Sequence, residues 1–416
     1  MGIEIKNICV KGNRVSAEVW VSGEKNDVWY EFPWDMEKIS VRPANAFLVA
    51  FMSIAMKVGG TYKIDGEISQ NLYNQMVTYQ DIMTKWYPEL SRVEIFAEKV
   101  SEDIVPAENK KKISCFTGGV DAFYSLIKNS EKIDNLLYVW GFDIPLNEEN
   151  FYNEVQQHLS SAAADFGKEI VLVKTNLGFE VTNKYASWLH YCYGGAIASV
   201  VLLMSQQYEL CFMPSCNDYS VLEPQGSHVL INHLWGCDGL RFVYDGAEAS
   251  RVEKVNYIAD NQVVQKHLRV CWRSKDAYNC SECEKCIRTM VSLEAVNKLD
   301  KVTTFCKPLV VEDISKIKLG NEAQLRMAEA SLNTAIENNK DEIANQLRVQ
   351  IADYKDVELV ENLRGRLDTL MNDAAFADIG GRVVDWYVEN DTKRTGKKVF
   401  KMALKKMKNK FKGFFK

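Results

Sequence analysis

The segment Ile113 to Asp121, ISCFTGGVD, constrains the fold more than any other stretch of this chain. An apolar run enters two adjacent glycines, which take positive φ without a Cβ penalty and expose successive amide hydrogens. The pattern DAFYSLIKN then reads as a helix starting near Val120 or Asp121. Its free first-turn amides and the positive end of its dipole point into the same space, a geometry that receives an anion. A carboxylate at Asp121 beside a phosphate needs neutralising. Mg2+ bridging the two would do so, since it binds through carboxylates and phosphate oxygens. Thr117 would donate its hydroxyl to another phosphate oxygen. The plainer reading of the same residues is a glycine turn with Asp121 as a first-turn cap.

The rhythm downstream is that of an α/β fold. LLYVW, EIVLVKT and YELCFMP read as short strands, with helices predicted near Glu149 to Phe166 and over Lys184 to Ser205. Such alternation predicts a parallel sheet with helices on both faces and ligands at the carboxyl ends of the strands. The loops after Phe116, Trp140 and Thr175 are expected to line the site. Asp143 is then an adenosine or substrate contact, although an Asp near Pro145 equally suits a turn.

Upstream, AEVWVSG and DVWYEF alternate as two strands about a turn at Gly23 to Asn26. Helices are predicted over Asn45 to Val58 and Leu72 to Lys85, and SRVEIFAEKV as a returning strand. The polar stretch Ser101 to Lys112 is the expected linker. Three domains follow: mixed α+β over 1–108, a nucleotide-binding α/β domain over 109–308, and a helical region over 309–416.

Four of the eleven cysteines fall in CWRSKDAYNCSECEKC, at Cys271, Cys280, Cys283 and Cys286. The start, MGIEIKNICV, lacks the basic-then-apolar order of a secretory signal, and the apolar stretch Ala196 to Met204 is too short to span a membrane. The expectation is a cytoplasmic protein with reduced thiols, in which clustered cysteines favour metal over disulfides. Zn2+ suits four thiolates, and a closed tetrahedral set leaves no open position, so its role is structural. An iron–sulfur cluster and unliganded thiols are the competing readings. The other seven cysteines are expected to be small buried groups.

The formal net charge of -5 hides an asymmetry. Residues 393–416 carry eleven Lys or Arg and no Asp or Glu, so the other 392 residues carry a formal -16. So acidic a body disfavours nucleic acid as a partner. The tail interleaves Phe400, Leu404, Phe411 and Phe415 with lysines, which suits an amphipathic helix on an acidic protein partner or an anionic membrane surface. The connection from Asn217 to Arg251 carries His228 and His233 and is expected to be a surface loop over the sheet edge, where His228 would donate to a carboxylate or phosphate. His190 is expected in helix packing, and Gly194 and Gly195 at a close helix contact.

FTGGVDA resembles the signature of PP-loop ATP pyrophosphatases, Ser-Gly-Gly-x-Asp-Ser, with Thr117 keeping the first hydroxyl and Ala122 lacking the last. A C-x8-C-x2-C-x2-C cluster about 150 residues later, followed by IRTMVSLE, is similar to the 7-cyano-7-deazaguanine synthase family. The likeness covers roughly 109–308. It implies a PP-loop core with a zinc knuckle, in which Thr117, Gly118, Gly119, Val120 and Asp121 hold ATP and Mg2+ and the four cysteines hold Zn2+. It also places Arg251 and Glu253, and more weakly Lys254, at the mouth of the site. The implied activity is ATP-dependent adenylation of a carboxylate or carbonyl, then transfer to a nitrogen nucleophile with release of AMP and pyrophosphate. The substrate is a small molecule or a protein carboxylate. The added terminal regions resemble those of relatives in antiphage defence, which suggests a protein partner. A nucleotide-binding scaffold or sensor subunit and an RNA-modifying sulfurtransferase are the alternatives.

Overall fold

The computed structural model describes residues 2–105, 108–273 and 277–372. Two units divide the chain, Met1–Asp313 and Ile314–Lys416. In the first, β1 (Gly2–Lys11), β2 (Arg14–Val21) and β3 (Glu24–Glu31) form an antiparallel meander. Their alternation points Ile3, Ile5, Val15, Val19, Val28 and Tyr30 into the core. Ser22 and Gly23 both take positive φ, 50° and 90°, which matches the twist of a two-residue hairpin turn. The turn therefore begins one residue earlier than expected. Helix α1 (Ala44–Val58) leads to β4 (Thr61–Ser69), parallel to β1, and α2 (Gln70–Trp86) leads to β5 (Glu94–Ser101), parallel to β4.

The alternating part follows as β6 (Lys111–Cys115), α3 (Val120–Lys128), β7 (Asn135–Trp140), α4 (Glu149–Asp165) and β8 (Glu169–Thr175). After a short turn, α5 (Asn183–Tyr185), come α6 (Tyr193–Leu202), β9 (Tyr208–Pro214), β10 (Arg241–Asp245), α7 (Arg251–Ile258), α8 (Gln262–His267) and α9 (Glu284–Ala295). The ten strands make one mixed sheet in the order β10-β9-β6-β7-β8-β3-β2-β1-β4-β5. The first five are parallel, β6 to β9 as expected and β10 added from the stretch read as a connection, and the meander joins them antiparallel at β8 through the register pairs Tyr30↔Thr175 and Glu31↔Lys174. Residues 1–108 and 109–308 thus belong to one unit, and one sheet runs through both.

The long helix expected over Lys184 to Ser205 is broken. Ala186 and Ser187 are extended, and the Ser187 hydroxyl accepts the His190 amide, restarting the chain as a π-helical turn, Trp188–Cys192, that runs into α6. His190 is exposed on that turn. Gly194 and Gly195 do mark close packing: a Cβ on Gly194 would lie 2.0 Å from the Gly226 carbonyl oxygen, and one on Gly195 2.9 Å from that of Val49 on α1.

In the second unit, α10 (Glu322–Glu337) packs on α11 (Asp341–Asn372) through Leu325, Ala328 and Ile351. Within the region expected to be helical, 341–372 form a single helix. The basic tail lies outside the described residues. No helix among the described residues is long and apolar enough to cross a membrane.

Candidate functional site

Strand β6 lies between β7 and β9 and delivers the chain to the carboxyl edge of the parallel strands. Phe116 is buried and its amide continues the ladder to the Leu137 carbonyl at 2.8 Å, while Thr117 is exposed. Gly118 turns the chain at φ 74°, where a Cβ would meet Leu159 Cδ2 at 2.9 Å. Gly119, at the N-cap of α3, offers no side chain to the first-turn amides. Val120 turns its side chain into the core, so it presents only its backbone.

Asp121 sits in the first turn of α3. Its Oδ2 accepts from Arg251 Nη1 at 2.5 Å and its Oδ1 from Lys254 Nζ at 3.2 Å. Lys254 is buried at 1% exposure, and its ammonium also donates to the Ser215 carbonyl at 2.6 Å, just past β9. Burial alone would raise the Asp121 pKa, but Arg251 and then Lys254 outweigh it and hold the carboxyl below its ordinary range. Two side-chain cations therefore neutralise the group for which the sequence suggested a metal. Both come from α7, whose start is fixed by a capping box: Ser250 accepts from the Glu253 amide, and Glu253 Oε2 accepts from the Ser250 amide at 2.7 Å. Glu253 is thus a capping residue in this structure, turned to Ser250 and not to Asp121.

Asp143 follows β7. Its Oδ1 accepts from Tyr138 Oη at 3.0 Å and its Oδ2 from Arg269 Nη1 at 2.5 Å. Arg269, absent from the expected site, is 5% exposed and its own amide donates to the Gly118 carbonyl at 2.8 Å. Its Nε is buried without a hydrogen-bond partner. Nothing local marks this arginine in the sequence; only its position two residues before Cys271 could have drawn attention to it.

The four cysteines converge. Cys271 Sγ lies 3.5 Å from Cys280 Sγ and 3.8 Å from Cys283 Sγ, and Cys280 Sγ lies 3.9 Å from Cys286 Sγ. All four lie within 4.8 Å of one another. A tetrahedral tetrathiolate with metal–sulfur bonds of about 2.3 Å has edges of about 3.8 Å, so the set fits a metal ion. Asn279 clasps the turn, its Oδ1 accepting the Val270 and Cys271 amides at 2.8 and 3.1 Å. The Cys283 thiol is pushed up to about 11, first by its hydrogen bond with Cys271. Metal binding must displace such protons.

The 217–251 connection is less of a surface loop than expected. His228 is 5% exposed, edge-on to Trp86 at 4.8 Å, and its Nδ1 accepts the Leu230 amide at 3.1 Å. Burial lowers its pKa. It is therefore a packed residue, and His233 is the exposed one. Of the other cysteines, Cys192, Cys211 and Cys237 are buried as expected and Cys115 partly so, but Cys9, Cys216 and Cys306 are exposed. Cys216 lies just past β9, where its Sγ accepts from Gln225 Nε2 at 3.0 Å.

The sheet edge thus carries a glycine turn, an uncapped helix start, a carboxylate held by two cations, and an arginine tying the turn to the cysteine segment. No protein-family model matches the chain, and comparison with curated proteins and with solved structures gives no match.

Proposed function

We propose that this protein binds ATP at the 117–121 turn and adenylates a carboxylate, which is then transferred to a nitrogen nucleophile. The observation that carries the reading is the Gly118–Gly119 turn opening onto α3 at the carboxyl edge of the sheet, with Arg251 and Lys254 fixed on Asp121. A carboxylate oxygen would attack the α-phosphorus as the bond to the bridging oxygen breaks and pyrophosphate leaves. The helix-start amides and the Thr117 hydroxyl would take the leaving charge, and Arg251 and Lys254 would keep Asp121 oriented. The nitrogen nucleophile would then attack the acyl carbon and AMP would depart. Mg2+, when bound with the nucleotide, would neutralise phosphate oxygens, and Asp121 is the carboxylate placed to share it. On the resemblance to PP-loop and 7-deazaguanine enzymes, 7-carboxy-7-deazaguanine is the first carboxylate to try. In the cysteine site, Zn2+ is the metal that four thiolates at these spacings suit, in a structural role.

The test is isotope exchange between pyrophosphate and ATP with Mg2+ across a set of carboxylates. Exchange that Asp121→Ala and Thr117→Ala abolish supports the reading; full exchange in both variants overturns it. One observation favours a second reading, a nucleotide-binding scaffold: both Asp121 oxygens are already engaged by cations, and Ala122 offers no hydroxyl. That reading expects ATP binding without exchange for any carboxylate or partner.

A further inference from the structure

Helix α9 grows out of the cysteine cluster: Cys283 is its N-cap and Cys286 its third residue. Between and just beyond those sulfurs it carries Lys285 and Arg288. The helix packs on α7, which bears Arg251 and Lys254. Lys285 and Arg288 both stand within electrostatic reach of Arg251 and of Asp121. Arg251 and Lys254 are paired to Asp121 and Arg288 Nη1 lies 3.2 Å from Glu284, whereas Lys285 makes no ion pair among the described residues. Like charges held together repel. A fold that holds an unpaired Lys285 beside these paired cations, close to a helix N-terminus, is suited to receive negative charge.

Arg288 adds a second mark. Its Nε is buried with no hydrogen-bond partner, a state few buried donors occupy. The site therefore has an unused donor as well as unbalanced charge. Lys285 is exposed, so it is reachable from solvent.

We propose that Lys285 and Arg288, together with Arg251, clamp the pyrophosphate portion of a nucleotide seated at the start of α3. The clamp rests on the nucleotide reading above and extends it: the helix anchored in the cysteine cluster receives the charge of the leaving group. The metal site then serves the reaction at a distance by fixing where two phosphate-binding cations stand, and no substrate atom needs to touch the metal.

Titration calorimetry of the full-length, metal-replete protein with Mg2+–pyrophosphate, and separately with Mg2+–ATP, tests this. Lys285→Ala and Arg288→Ala are each expected to weaken pyrophosphate binding about tenfold or more, with Arg288→Lys recovering part of the loss. Metal content and thermal midpoint check that each variant is folded. Should Arg288→Ala lose its metal, Lys285→Gln at the exposed position carries the test alone. Unchanged pyrophosphate affinity in metal-replete Lys285 variants overturns the clamp while leaving the nucleotide reading intact. No binding of either ligand to the unaltered protein sinks both.

Discussion

The amide of Arg269 donates to the carbonyl of Gly118 at 2.8 Å, so the segment entering the cysteine cluster is hydrogen-bonded to the glycine turn. The Arg269 side chain extends the link to Asp143 at 2.5 Å, and Cys271 lies two residues further along. The turn, the loop after β7 and the cysteine cluster are thereby joined through one arginine.

Metal removal is therefore expected to reach the turn. Chelation should lower the thermal midpoint by about 5 °C or more, since a lost ligand-set contribution of a few kcal/mol moves a domain of this size by that much. Amide exchange by mass spectrometry should rise over 116–119 as well as over 268–286. Elemental analysis should find about one zinc per chain, and zinc affinity should rise with pH as the thiols, Cys283 among them at about 11, give up protons.

Gly118→Ala should destabilise the fold. Its φ of 74° costs an L-residue about 1–2 kcal/mol, and the new methyl would press on Leu159 at 2.9 Å. Urea denaturation of the single variant and of Gly118→Ala with Leu159→Ala separates these effects: shortening Leu159 removes the contact but leaves the backbone strain. A fully additive double variant would show that Leu159 is not the obstacle.

Asp121→Asn should cost about 3 kcal/mol, because it leaves Lys254 charged and buried without its carboxylate. The deficit has a pH signature. The folded-state pKa of Asp121 lies below its ordinary 3.8, so its stabilisation is complete above that value and is lost as pH falls through the lowered one. The stability gap between wild type and variant should persist at neutral pH and close in acid. A gap independent of pH would assign the loss to packing.

His158 Nδ1 and His267 Nδ1 lie 3.0 Å apart across the contact of α4 with α8, a hydrogen bond that needs at least one neutral ring. Burial, and then His158, lowers the His267 pKa below 6.5. A histidine with a lowered folded pKa contributes stability that is full above 6.5 and is lost as pH falls through the lowered value. Denaturation midpoints measured from pH 8 to 5 should fall, and His267→Gln should flatten that slope.

The strands over 111–115, 135–140, 169–175 and 208–214 were legible because each carries a short apolar run closed by turn or cap residues. β1 and β4 were not read from the sequence, and both slip register internally, between Lys6 and Cys9 and between Ile64 and Glu67, which interrupts the period of two. The break at Ala186 and Ser187 was hidden because the flanking residues suit one long helix and only the fold ends it. In the site, Thr117 to Asp121 announced themselves by glycine spacing and the cysteines by theirs. Arg251 came through family likeness. Arg269, Lys285 and Arg288 were missed because long side chains from separate helices and loops meet only in three dimensions.

The meeting of β3 with β8 has a consequence for how the chain can be cut. Expressed from residue 109 onward, the protein would lose the partner of β8 at Lys174 and Thr175 and bare the face of α6 that packs on α1. An unpaired strand end beside a bared apolar helix face recruits other molecules. The shortened polypeptide should therefore self-associate or precipitate, which makes the first hundred residues an edge guard whatever else they do.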